Sequence, residues 1–242
     1  TLTDYFYLQN INTTSQNGSV TPSSGGWTRL YNYTIDIYDQ EGDTINCSLY
    51  IKRNSTNTWE YAGSDIIPGT PGTPTQGTCS IPYHSFTCQD QGINHFLFQI
   101  QDAEPSNTYN TSVFQGPTLT QSQVQIFLIQ GNNSEVNRSS GTTPLTIRVF
   151  DTENSTNVSN ANTTIWVTYD YQTYDPGVSG QTSSGIFTRD FDPTCSPIQH
   201  LPGVQTWIGG VYNDACYVDT NLTQNYTVTV KADLSLIHIS EP

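Results

Sequence analysis

Charge is scarce in this chain: only 12% of its 242 side chains are Asp, Glu, Lys or Arg. The basic share is smaller still, with 7 Lys and Arg against 21 Asp and Glu and a formal charge of −14. A nucleic-acid binder neutralises phosphates with clustered Lys and Arg, so that class is excluded. No apolar run approaches the roughly 20 residues of a membrane-spanning helix, so no membrane span is expected here. Met is absent. The chain also opens without a basic-then-apolar stretch, so Thr1 is expected to be a processed or truncated start. The 5 cysteines include no CxxC pair and the histidines are scattered, which removes the spacing of a zinc site. GxSxG, HExxH, the phosphate-cradling GxxxxGK[ST] and the dinucleotide fingerprint are all missing, so neither an enzyme nor a cofactor is expected. His84, His95 and His200 lie near Ser and Asp residues, but surface or hydrogen-bonding roles are expected of them. Asp170, Asp175, Asp190 and Asp192 offer carboxylates for a glycosidase pair, yet no spacing selects two of them.

What fills the space is Thr, Ser and Asn, at 36, 23 and 20 residues about a third of the chain. Low charge with few apolar residues suits disorder, but 12% aromatic content argues for a packed core. Ser and Thr occupy 59 of 242 positions, so chance placement gives about 5 Asn-x-Ser/Thr triplets. There are 13, at Asn12, Asn17, Asn32, Asn46, Asn54, Asn110, Asn132, Asn137, Asn154, Asn157, Asn162, Asn221 and Asn225. None has Pro in the middle. Turn preferences account for Asn132, Asn137, Asn154 and Asn157. They do not account for Asn32, Asn46 and Asn225, which sit in strand-like runs. N-glycosylation is therefore expected, and with it a secreted or cell-surface protein.

Cysteine usage suits the same oxidising compartment. Cys195 and Cys216 share a Pro/Gly-rich stretch and are expected to pair. Cys79 and Cys88 bracket a short loop and are expected to form the second disulfide. Cys47 is then left over, on a strand face with Ile45, Leu49 and Ile51, as a buried thiol. Pairing of Cys47 with Cys79 or Cys88 across a sandwich stays open.

Period-two patterns dominate the chain. Residues 31–39, YNYTIDIYD, place Tyr31, Tyr33, Ile35 and Ile37 on one face and Asn32, Thr34 and Asp36 on the other. A turn at Glu41, Gly42 and Asp43 leads to Ile45, Cys47, Leu49 and Ile51 as the inward face of the next strand. Further strands are expected at 58–62, 96–101, 124–130, 145–150, 163–169, 185–188 and 226–231. No window has helical periodicity, and Gly, Pro, Asn and Ser recur at short intervals, so the fold class is all-β. An internal repeat aligns YTIDIYD at 33–39 with LTIRVFD at 145–151, and Tyr5–Leu8 is matched with Val124–Ile129 as the strand before it. Two β-sandwich domains follow, 1–116 and 117–233, with 1–26 as an N-terminal strand and tether.

The runs YNYTIDIYDQEGDTINCSLYIKR and GINHFLFQIQD resemble the B–C hairpin and F strand of immunoglobulin-like or fibronectin-III-like repeats of extracellular proteins. PLTIRVFD, NTTIWVTYD and SGIFTRDF resemble a looser copy. The resemblance implies two tandem immunoglobulin-like sandwiches with adhesive, spacing or assembly roles. The antibody-type Cys-Trp-Cys arrangement is missing, so an immune receptor is not implied. The last nine residues, LSLIHISEP, resemble the translation of a transposase adapter used in sequencing libraries, so 234–242 is expected to be an artefactual tail.

Asp39, Glu41 and Asp43 could turn alternate oxygens toward a Ca²⁺, although the full twelve-residue calcium loop is absent. An intramolecular isopeptide needs a buried Lys, and Lys52 and Lys231 both fall on outward faces. Trp27, Trp59, Trp166 and Trp207 are candidates for stacking on sugars. Two functional readings result. In the first, Tyr5, Phe6, Tyr7, Leu8 and Ile11 form a strand that completes its own domain or is donated to a neighbouring copy, building a glycosylated filament or coat. In the second, the chain is an adhesive ectodomain fragment of a longer repeat protein, binding a glycan or a protein.

Overall fold

In the computed structural model, residues 13–102 and 107–232 are described. Tyr5–Ile11, Asn12 and the 234–242 tail lie outside them. The chain divides into two compact units, 1–121 and 122–242. The division falls at 121/122 rather than 116/117, because the last strand of unit 1 runs through Gly116 and Pro117 to Thr120.

Unit 1 comprises β1 (Thr14–Thr21), β2 (Ser24–Gly26), β3 (Tyr31–Asp39), β4 (Ile45–Lys52) and β5 (Trp59–Ile67). It continues with β6 (Thr75–Tyr83), β7 (Gly92–Gln101), β8 (Thr108–Asn110) and β9 (Phe114–Thr120). One sheet has the order β1-β3-β6, and the other β2-β9-β7-β4-β5 with β8 paired to β7. Tyr31, Tyr33, Ile35 and Ile37 of β3 are buried against Ile45, Leu49 and Ile51 of β4 and Phe96, Phe98 and Ile100 of β7, a core built from both sheets. Each fully buried aliphatic or aromatic side chain contributes about 1.5–3 kcal/mol.

Unit 2 comprises β10 (Val124–Gln130), β11 (Ser134–Asn137), β12 (Thr143–Asp151), β13 (Thr156–Asn157) and β14 (Asn162–Val167). It ends with β15 (Val178–Gln181), β16 (Ile186–Phe191), β17 (Gly203–Val211), β18 (Thr220–Asn221) and β19 (Tyr226–Lys231). Its sheets are β10-β12-β16, with β13 also on β12, and β11-β19-β17-β14-β15, with β18 on β17. Nine strands of each unit correspond, down to the parallel pairs β2–β9 and β11–β19, and β13 of unit 2 has no counterpart.

That correspondence corrects the tether. The partner of β10 in unit 1 is β1, which pairs antiparallel with β3, and not Tyr5–Leu8. β1 escapes an apolar pattern because Val20 alone among its eight residues is buried. Polar side chains supplement its ladder: Ser19 Oγ lies 2.9 Å from Thr34 Oγ1, and Asn17 Nδ2 donates to Asp36 at 3.0 Å.

The disulfides differ from the expected pairs Cys79–Cys88 and Cys195–Cys216, and unit 1 takes the alternative left open for Cys47. Cys47 of β4 bonds to Cys79 of β6, both fully buried, so the bond staples the two sheets of unit 1. Cys79 is on an inward strand position rather than at the mouth of a loop, which is why it meets Cys47 and not Cys88. Cys195 is an exposed free thiol, so it does not pair with Cys216. Cys88 and Cys216 are each disulfide-bonded.

Candidate functional site

A cleft lies in unit 2. It has a volume of about 650 Å³ and is lined by the segment 169–176 that follows β14 and by 197–201 before β17. Backbone bonds hold these loops: the Tyr169 N–H donates to the Thr173 carbonyl at 3.0 Å, and the Leu201 N–H to the Tyr169 carbonyl at 2.8 Å. Tyr169, Tyr174, Gln199 and Leu201 line it, with Asp170 and Asp175. Rings beside amide and carboxylate groups suit a polar ligand with an apolar face, the chemistry of a sugar.

Both carboxylates are already engaged. Asp170 accepts the backbone N–H groups of Gln172 and Thr173, which closes the loop. The Thr173 N–H foremost holds its carboxyl below the usual range. Asp175 is buried and accepts the Val167 and Gly177 N–H groups at 3.1 Å. Arg189 of β16 grips it with both terminal nitrogens and donates to the Ile165 carbonyl at 2.9 Å. The guanidinium lies 5.2 Å from the Phe191 ring centre, and Phe191 meets the buried His200 edge-on at 5.1 Å. His200 Nε2 stands 3.7 Å from Asp175, an ion-pair distance longer than a hydrogen bond. Burial opposes ionisation of Asp175, but His200, Arg189 and the Val167 amide outweigh it and hold the carboxyl well below the usual carboxylate range. Such a cluster fixes the wall of the cleft; its carboxylate has little left for a substrate.

The remaining candidates separate. His84 is exposed and His95 half-buried, both in unit 1, with His200 in unit 2. Asp190 and Asp192 are exposed. Asp39, Glu41 and Asp43 do converge, with one oxygen of each within 4.8 Å of the others. A Ca²⁺ takes six to eight oxygen ligands, and Asp39 is poorly placed to serve. Its Oδ1 accepts the N–H groups of Glu41, Gly42 and Asp43 at 3.0, 2.7 and 2.9 Å, and its Oδ2 the Thr13 hydroxyl at 3.0 Å. A cation beside Oδ1 would face three N–H dipoles, so the residues fit a turn better than a calcium cage. Asp151, its counterpart in the repeat, does the same with the N–H groups of Glu153 and Asn154.

Trp207 is fully buried, with its indole N–H on the Gly131 carbonyl at 3.1 Å, and is core rather than platform. Trp27 packs half-buried against the core of unit 1. Trp166 is half-buried and meets Tyr212 edge-on at 5.7 Å, while Trp59 is 40% exposed. Lys231 is exposed and ion-paired with Glu135, and Lys52 is half-buried. Of the sequon asparagines described, Asn32 and Asn46 are half-buried and the rest exposed. Tyr169, Tyr174, Arg189 and Gln199 did not stand out in the sequence; the dense run YDYQTYD was the signal for the loop that carries Tyr169 and Tyr174.

No family model matches the chain, and no curated protein matches it. Among solved structures it is similar to a red sea bream transglutaminase at 12% identity and a TM-score of 0.31, over 88% of this chain and 31% of that one. It is similar to the fibronectin(III)-like modules of Clostridium thermocellum CbhA at 10% identity and 0.33, over 91% and 94%. A trypsin-activated alpha-2-macroglobulin from Escherichia coli gives 8% and 0.32, over 93% and 17%. The chain thus spans less than a third of the transglutaminase and the macroglobulin, and at these scores none of the three likenesses carries an argument about function.

Proposed function

We propose that the chain is a structural subunit of an N-glycosylated extracellular filament or coat. The observation that carries this reading is the place of β1. It holds in unit 1 the position that β10 holds in unit 2, the place expected of Tyr5–Leu8. An aromatic and apolar segment ahead of that strand is suited to pairing along a sheet edge of another copy. β5 is such an edge, with Tyr61 and Ile66 60% and 62% exposed. Contact between a leading segment and a distant edge is heterologous and grows without closing. The exposed sequons and the disulfides support passage through a secretory pathway.

Removal of residues 1–11 from the chain, secreted by a glycosylating host, tests the proposal by electron microscopy and light scattering. Short soluble species are the expected result, and fibres of undiminished length overturn it. The cleft bounded by Tyr169, Tyr174 and Gln199 favours a second reading, an adhesive glycan- or protein-binding ectodomain. Monomers of the intact chain that bind immobilised glycans without forming fibres would favour that reading instead.

A further inference from the structure

The second sheet of unit 1 carries a groove of about 290 Å³ lined by Tyr50 of β4, Trp59 of β5, Leu97 and Gln99 of β7, and Asn110 of β8. Trp59 is 40% exposed. Tyr61, 60% exposed, meets the Tyr50 ring edge-on at 5.8 Å. Asn110 begins the sequon that ends at Ser112, and both residues are exposed. Gln99 and Asn110 are register partners across β7 and β8, and Gln99 Nε2 donates to Asn110 Oδ1 at 3.2 Å. That bond uses the oxygen of the amide and not Nδ2, the atom that would carry a sugar.

We propose that the first sugar of an N-glycan on Asn110 lies in this groove, its ring face against Trp59 and Tyr50. The proposal rests on the glycosylation reading above. A ring stacked on an exposed indole gains a modest apolar contact, too little to hold a free saccharide from dilute solution. A tethered sugar faces the groove at an effective concentration on the order of millimolar, so the same contact suffices. The volume of about 290 Å³ lies at the lower end of ligand sites, roughly 300 Å³, and suits a single ring better than a free oligosaccharide. Unit 2 has a looser parallel: Asn162 of β14 borders a groove of about 420 Å³ with Tyr212 and accepts from Gln181 Nε2 at 3.4 Å, but its Nδ2 donates to the Asn213 carbonyl at 3.4 Å, so the proposal is confined to Asn110.

The test uses the full chain from a glycosylating host, with Trp59→Ala, Ser112→Ala and the double variant. Ser112→Ala abolishes the sequon while keeping the Asn110 amide and its bond to Gln99. Mass spectrometry of the glycopeptide should find Asn110 occupied in the parent chain. Trp59→Ala should then lower Tm by about 2–4 °C in the glycosylated background and by under about 1 °C in the Ser112→Ala background. Nuclear magnetic resonance of the parent should show the proximal sugar's protons displaced upfield by ring currents, with the displacement lost in Trp59→Ala. Equal Tm losses in both backgrounds with Asn110 occupied, or sugar resonances at solvent positions, overturn the groove and leave glycosylation standing. An unoccupied Asn110 overturns both at this site. Concentration-dependent melting of Ser112→Ala would assign the groove to a second copy of the chain and overturn the proposal.

Discussion

Asp175 and Arg189 bury opposite charges within one hydrogen-bonded cluster, and such a pair is more informative when broken than when counted. The desolvation cost of two buried ions cancels much of their attraction. Removing one partner leaves the other charged and stranded. Asp175→Asn should therefore destabilise unit 2 by about 3–5 kcal/mol, read as a shift of the urea midpoint. Acid adds a second readout. Unfolded Asp titrates near 3.9, and the folded value of Asp175 lies well below that. Between the two, the unfolded chain binds the extra proton, so the cluster's contribution is full above about pH 4 and fades as pH falls through the folded value. The variant should lose stability less steeply than the parent below pH 4, and identical acid slopes would show that the pair does not carry the linkage. The sequence displayed Asp175 as one acid among several. Its partner is 14 residues away on a strand that meets β14 only through the fold, so no local pattern could have joined them.

Elements divide into those written in apolar alternation and those written in polar ladders. β3, β10 and β19 run where the alternation places them, 31–39, 124–130 and 226–231. The sequence of β1 reads as a tether because Asn, Ser, Gly and Thr serve equally well in loops and on the wet side of an edge strand, and only pairing decides between them. β6 is hard to see in the sequence for a related reason: its run TQGTCSIPY is rich in turn-forming residues, and Cys79 stands close to Cys88 as at the ends of a loop. With β6 in place, Cys79 and Cys47 face each other across the core. Their bond closes a loop with a sequence separation of 32, which in the chain-entropy picture contributes about 3.5 kcal/mol. Replacing both by Ala should lower the unfolding free energy of unit 1 by about that amount. Alkylation of the native, unreduced protein should modify Cys195 alone. Labelling of Cys47 or Cys79 without denaturant would contradict the staple.

On the scale of the whole molecule, two units that share nine corresponding strands have little in common in sequence but the alternation of their inner faces and one buried turn carboxylate, Asp39 in one and Asp151 in the other. The surface follows a different rule. Folded domains usually keep charged residues at roughly a quarter to a third of their surface, whereas charge makes up 12% of this chain. Net charge alone would then keep it soluble, and that charge vanishes near the sequence pI of about 4.2. Covalent sugar at exposed sequons would hydrate the surface independently of pH and hold strand edges apart. Titrating the glycosylated chain toward pH 4.2 should leave it in solution, because hydration by neutral sugar does not titrate. The enzymatically deglycosylated chain should precipitate in the same interval while keeping its β circular dichroism at neutral pH, since the cores do not depend on the sugar. Turbidity against pH for the two forms is the measurement. Curves that coincide would return the task of solubility to the acidic side chains and leave the 13 sequons without this role.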